Sequence, residues 1–165
     1  MILYHVTKEN YNIDDTISID NFDNEYGYYY QNSLHKATSD FLDEMRPNDE
    51  PLREKCIFAF ESLTHCASFV GIKNKAKFNF YEIEIDSVRA HPMCLLTELN
   101  RTTDIELRNK LRDEYWLPQM NWKFKEFLGT NIVIIDNLID ISIGNFDDLI
   151  SDQKKMKNLS RNTDG

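Results

Sequence analysis

No run of apolar residues in this chain approaches the roughly 20 needed to cross a bilayer, and no basic region followed by an apolar stretch opens it. Neither a membrane span nor a secretory leader is expected. Cysteine is scarce, with only Cys56, Cys66 and Cys94. An odd count at irregular spacing argues against a disulfide framework. No CxxC or HxxxH occurs, so no zinc or other metal site is expected. Reduced, mostly buried thiols in a cytoplasmic protein are the simplest account. Positive charge is also short: 19 Lys and Arg stand against 28 Asp and Glu, a formal net charge of −9. Phosphate backbones repel such a surface, so extended nucleic-acid binding is not expected. The local run Lys73, Lys75, Lys77 reads as a solvated loop.

What is present is enough for a core. The 165 residues are 41% hydrophobic and 12% aromatic, which fits one domain burying roughly 70% of its unfolded surface. Nothing in the composition marks a fibrous or wholly disordered chain. Residues 1–150 are expected to form this domain, and the polar, aperiodic residues 151–165 a loose tail. There is no internal repeat.

The opening run Leu3-Tyr4-His5-Val6-Thr7 reads as a strand. Period-two geometry puts Leu3 and His5 on one face and Tyr4 and Val6 on the other. A histidine there needs partners for its ring nitrogens. Either His5 is a satisfied core residue, or the strand presents His5 and Thr7 to a ligand. Residues 8–24 are polar and read as a helical turn and a loop. The cluster Tyr26, Tyr28, Tyr29, Tyr30 suits either a ligand wall or a core edge, because tyrosine covers apolar surface and keeps a polar tip.

Residues 33–45 carry Leu34, Ala37, Phe41, Leu42 and Met45 at helical spacing, and Pro47 ends that helix. Cys56-Ile57-Phe58-Ala59-Phe60 reads as a central strand. Ser62 is a cap for a helix over 63–70, closed by Gly71. Residues 78–86 alternate as a half-buried antiparallel strand. His91 and Pro92 mark a turn, and residues 93–99 read as a short strand or a turn of helix. Thr103 or Asp104 caps a helix over 105–116, bounded by Pro118. Residues 121–128 alternate again, with Trp122, Phe124, Glu126 and Leu128 on one face. One or two further apolar strands follow, over Ile132 to Ile135 and Ile139 to Ile143. The order implies an α+β fold with a mostly antiparallel sheet flanked by helices. Glu126 sits among large apolar neighbours, where an unpaired carboxylate is penalised. It lies either at a wet edge or in a site.

Three features stand together: Leu3-Tyr4-His5-Val6-Thr7; Ile57-Phe58-Ala59-Phe60-Glu61-Ser62 before a helix holding Ala67-Ser68-Phe69; and Lys125-Glu126-Phe127-Leu128. This set resembles the ADP-ribosyltransferase-like fold, in its diphtheria-toxin-like, histidine–tyrosine–glutamate branch. It is also similar to small uncharacterised bacterial domains that begin with a YHVT-type strand. The resemblance spans roughly residues 1–145. It implies a split sheet and NAD as substrate, without a metal. His5, with Thr7 beside it, would hold the ribose and the nicotinamide amide. Phe58, or Phe60 in the alternative register, would stack on the nicotinamide ring. Glu126 would stabilise the oxocarbenium-like sugar as nicotinamide leaves, since a fixed carboxylate acts best where positive charge develops.

The sequence departs from that pattern in two places. Phenylalanine stands where the active branch usually has tyrosine, and the cluster of Tyr26, Tyr28, Tyr29 and Tyr30 would then have to supply the missing aromatic wall. Phe124 stands two residues before Glu126, where arginine-directed members often carry a second carboxylate. The implied function is transfer of ADP-ribose to a protein, nucleic-acid or other acceptor, in a bacterial or phage protein. The alternative is a non-catalytic binding or interaction module on the same fold. An RNA 2′-phosphotransferase, a relative sharing the fold, is disfavoured by the charge.

Overall fold

The computed structural model describes residues 2–21, 33–70 and 78–138. Its strands are β1 (Leu3–Thr7), β2 (Thr16–Ser18), β3 (Ile57–Phe60), β4 (Asn79–Ile85), β5 (Ala90–Pro92), β6 (Lys125–Gly129) and β7 (Asn131–Asn137). Its α-helices are α1 (Ser33–Asp43), α2 (Leu63–Val70), α3 (Leu95–Arg101) and α4 (Ile105–Trp116), with 3-10 turns at Ile19–Asn21 and Arg53–Lys55. The fold is α+β, with one seven-stranded antiparallel sheet in the order β2-β7-β4-β1-β3-β6-β5.

The connections show the sheet's shape. Thr130 alone separates β6 from β7, yet β3, β1 and β4 lie between them in the sheet. In a flat sheet these strands would stand about 19 Å apart, four spacings of about 4.8 Å. Two residue steps reach only about 7 Å. The sheet therefore curls until the end of β6 meets the end of β4, and a Cβ built on Gly129 would collide with Ile85 and Asp86. The narrowest join is between β1 and β3, with Tyr4↔Phe60 as the registered pair. By contrast, β1 runs along β4 from Leu3↔Ile83 to Thr7↔Asn79. The expected split is thus corrected to a continuous, curled sheet pinched at β1–β3.

Alternation divides the core in two. Leu3, Ile57, Ala59, Tyr81, Ile83, Phe127, Ile132 and Ile134 pack together on one side. Val6, Phe58, Phe60, Phe80 and Leu128 face the other, against Leu42 of α1, Cys66 of α2, Leu95 and Leu99 of α3, and Tyr115 and Trp116 of α4. All four helices contribute to that second cluster. The Trp116 indole donates to the Leu42 carbonyl at 2.7 Å, tying α4 to α1. Both edge strands, β2 and β5, are three residues long, which limits the unpaired backbone they offer to another chain.

Local signals place most elements. Ser62 Oγ accepts from the His65 amide at 3.2 Å, at the start of α2. Asp104 Oδ1 accepts from the Glu106 and Leu107 amides at 3.0 and 3.3 Å, which settles the choice between Thr103 and Asp104. Three readings change. Residues 16–18 are a strand, and the turn comes after them at Ile19–Asn21. His91 and Pro92 belong to β5. The strand expected over 121–128 begins only at Lys125. The preceding residues are held as a loop by Glu114, whose Oε1 accepts from the Gln119 and Met120 amides and the Trp122 indole. The expected strand at 139–143 and the tail at 151–165 lie outside the described residues.

Candidate functional site

The three motif strands are neighbours. β1, β3 and β6 lie side by side, with β5 beyond. Tyr4 registers with Phe60, Phe60 with Glu126, and Glu126 with His91. Residues opposite one another in an antiparallel ladder share a face, so this row projects toward the helices. His5, one residue on from Tyr4, projects from the opposite face with Leu3. The fold brings the motif strands together but sends the His5 and Glu126 side chains to opposite faces of the sheet.

His5 is enclosed, 4% exposed. Its Nδ1 lies 2.7 Å from the Phe58 backbone oxygen. A carbonyl only accepts, so Nδ1 carries the hydrogen. The bond crosses the pinch between β1 and β3. Burial dominates and lowers the His5 pKa to about 4, against the opposing effect of the Phe58 bond. Thr7 is buried, and its hydroxyl accepts from the Glu9 amide at 3.1 Å. Phe58 and Phe60 are core residues of the helix-side cluster. Tyr28 lies outside the described residues.

Glu126 is 1% exposed. Its carboxylate is ion-paired with Arg53 Nη1, and Oε1 also accepts from the Tyr115 hydroxyl at 2.5 Å. Arg53 Nη1 donates to the Tyr115 oxygen as well. The guanidinium is fixed further by Nε donating to Ser39 Oγ at 3.1 Å. It lies 5.1 and 5.2 Å from the Phe58 and Tyr115 ring centroids. The Arg53 backbone amide donates to Asp43 Oδ1 at 3.0 Å. Burial raises the Tyr115 phenol well above its ordinary value, so it stays a donor.

The sequence offered two homes for Glu126, a wet edge or a site. The structure encloses it, which rules out the wet edge, and pairs it with Arg53. Arg53, Tyr115, Glu50 and His91 were not singled out with it. One available signal was the penalty itself: a carboxylate on an apolar face requires a cation. Nothing in the local sequence marks Arg53 as that cation, because the pair spans 73 positions.

Among the described residues no group of His, Cys, Asp and Glu is arranged to hold a metal ion, and no helix is long and apolar enough to cross a membrane. The three cysteines are buried and unbridged. No protein-family model matches the chain, and no curated protein matches its sequence.

Proposed function

We propose that this chain is a non-catalytic relative of ADP-ribosyltransferase-like domains and works as a binding or interaction module. The observation that carries this reading is the closure of Glu126 by Arg53 and Tyr115. A carboxylate already neutralised by a guanidinium has little left to offer a developing oxocarbenium ion. The relation to that fold is supported by the motif strands lying together and by the pinch between β1 and β3. The net charge of −9 favours a partner other than a phosphate backbone.

The second reading is an NAD-dependent ADP-ribosyltransferase. The registered row Tyr4–Phe60–Glu126 favours it, since the three motifs occupy adjacent strands in the expected order. In that reading Glu126 is catalytic and Arg53 has to leave before chemistry, while His5 and Thr7 have to reach the same NAD from the opposite face of the sheet.

One assay separates the two. The full chain is incubated with NAD labelled in the nicotinamide ring, with cell extract as acceptor. The module reading expects no nicotinamide release. Release that disappears in a folded E126Q variant establishes the transferase instead.

A further inference from the structure

We propose that residues 47–55 are a displaceable strap, seated on the β5–β6 edge as a peptide ligand would be. A partner segment bearing a carboxylate and an arginine three residues apart competes for the same seat. This inference rests on the module reading and gives the partner a chemistry. The strap joins α1 to β3, and its buried side chains are those of Glu50 and Arg53. Pro47, Pro51 and Leu52 are half-buried, and Asn48, Asp49 and Lys55 are exposed. Charged side chains are rarely enclosed unless paired, whereas apolar ones usually anchor a segment. Here the two deepest anchors are charges of opposite sign.

The strap's backbone is tied to itself and to its flanks. The Glu50 amide donates to the Pro47 carbonyl at 3.1 Å, and the Lys55 amide to the Leu52 carbonyl at 2.9 Å. The Arg53 amide donates to Asp43 of α1 at 3.0 Å. Attachment to the sheet runs through side chains, into a seat with two halves. The first half takes a guanidinium: the Glu126 carboxylate, the Tyr115 oxygen and Ser39 Oγ accept from Arg53, between the Phe58 and Tyr115 rings. Such a fork with flanking aromatic faces suits arginine better than lysine. The second half takes a carboxylate: Arg89 donates to Glu50 Oε1 at 2.8 Å, and His91 Nε2 lies 3.0 Å from the same oxygen. Arg89 also binds both oxygens of Asp49. The halves adjoin, because His91 and Glu126 are registered partners on β5 and β6.

Exchange is favoured over simple opening. If the strap lifts alone, Glu126 stays enclosed without its cation, which is heavily penalised. A segment that brings its own arginine and carboxylate re-forms both pairs as the strap leaves. The released Glu50 and Arg53 pass into water, and little apolar surface is uncovered with them. The seat thus selects a segment with both charges, and Glu126 turns away a phosphate.

The probe is a synthetic peptide of residues 47–55, blocked at both ends. Its control carries alanine in place of Glu50 and Arg53. Each is added to the full wild-type chain at about 10 mM, above the effective concentration of a short tether. Amide hydrogen exchange is then followed along the chain. The expected result is several-fold faster exchange over residues 47–55 with the peptide, no change with the control, and no change in the sheet. In the full-length E50A/R53A variant the peptide is expected to raise the urea midpoint, or to restore a cooperative transition if that variant does not fold alone. Unchanged wild-type exchange overturns the proposal even where the variant is rescued, because the strap is then a fixed part of the structure. A control as effective as the peptide overturns it too, because the seat then does not read the two charges. No NAD is present, so the outcome is read separately from nicotinamide release.

Discussion

Arg53 and Glu126 form an ion pair with both side chains shut away from water, at 4% and 1% exposure. Desolvating two charges costs several kcal/mol per ion, and the mutual attraction offsets this only while both are present. Arg53→Met leaves the carboxylate buried and uncompensated. It is expected to cost about 3–5 kcal/mol in urea unfolding. The triple variant R53M/E126L/Y115F, which removes both charges and the phenol together, is expected to recover most of that loss. An R53M protein within about 1 kcal/mol of wild type would show that the pair is not enclosed as described.

The same pair explains what the sequence could and could not disclose. Alternation in residues 78–86, the Asp104 cap and the helix over 105–116 were legible because each signal is local: period two, a short acceptor before a helix, a proline after it. The Arg53–Glu126 pair was not legible, because it joins a turn to a strand 73 positions away. Trp122 and Phe124 misled for a related reason. Their alternation with Lys123 and Lys125 imitates a strand, yet the Glu114 carboxylate captures two amides and the Trp122 indole and keeps that stretch out of the sheet. For His5, the structure adds its burial and the bond from Nδ1 to the Phe58 carbonyl 53 positions away, neither of which a single-strand pattern discloses.

His5 has a consequence for acid stability. Burial holds its ring neutral until about pH 4, whereas an unfolded histidine takes up a proton near 6.5. Below about pH 6.5 the unfolded state therefore binds the proton that the folded state refuses. This contribution to stability is complete above 6.5 and is lost as pH falls toward 4, up to about 3 kcal/mol. His65, also lowered by burial, acts in the same direction. Replacing His5 with Gln should flatten the pH dependence of the urea midpoint across that window. An H5Q profile parallel to wild type would remove His5 from the account.

The Asp104 cap gives a smaller, local effect. Its carboxylate accepts from two amides that the first turn of α4 otherwise leaves without partners. Asp104→Ala is expected to cost about 1 kcal/mol, and Asp104→Ser much less, because serine also caps. Equal losses in the two variants would show that the bonds contribute nothing measurable.

Gly129 tests the curl of the sheet directly. Its backbone is not left-handed, so glycine is needed there for space rather than for conformation. An added Cβ would run into Ile85 Cγ1 and stand 2.5 Å from Asp86 Oδ1. Neither neighbour yields freely. Ile85 lies in β4 and packs against the interior cluster. Asp86 Oδ1 accepts from the Thr130 and Asn131 amides at 2.8 and 3.0 Å, and Oδ2 accepts from their side chains. Two of those bonds hold Thr130, the single residue that carries the chain from β6 to β7, and two hold Asn131, the first residue of β7. Gly129→Ala is therefore expected to cost about 1–3 kcal/mol, as overpacking does. Adding Ile85→Val, which trims the opposing side chain, should return part of that loss although Ile85→Val alone destabilises. Strict additivity of the two substitutions would mean that Gly129 and Ile85 do not touch, and the close approach of β6 to β4 would have to be given up.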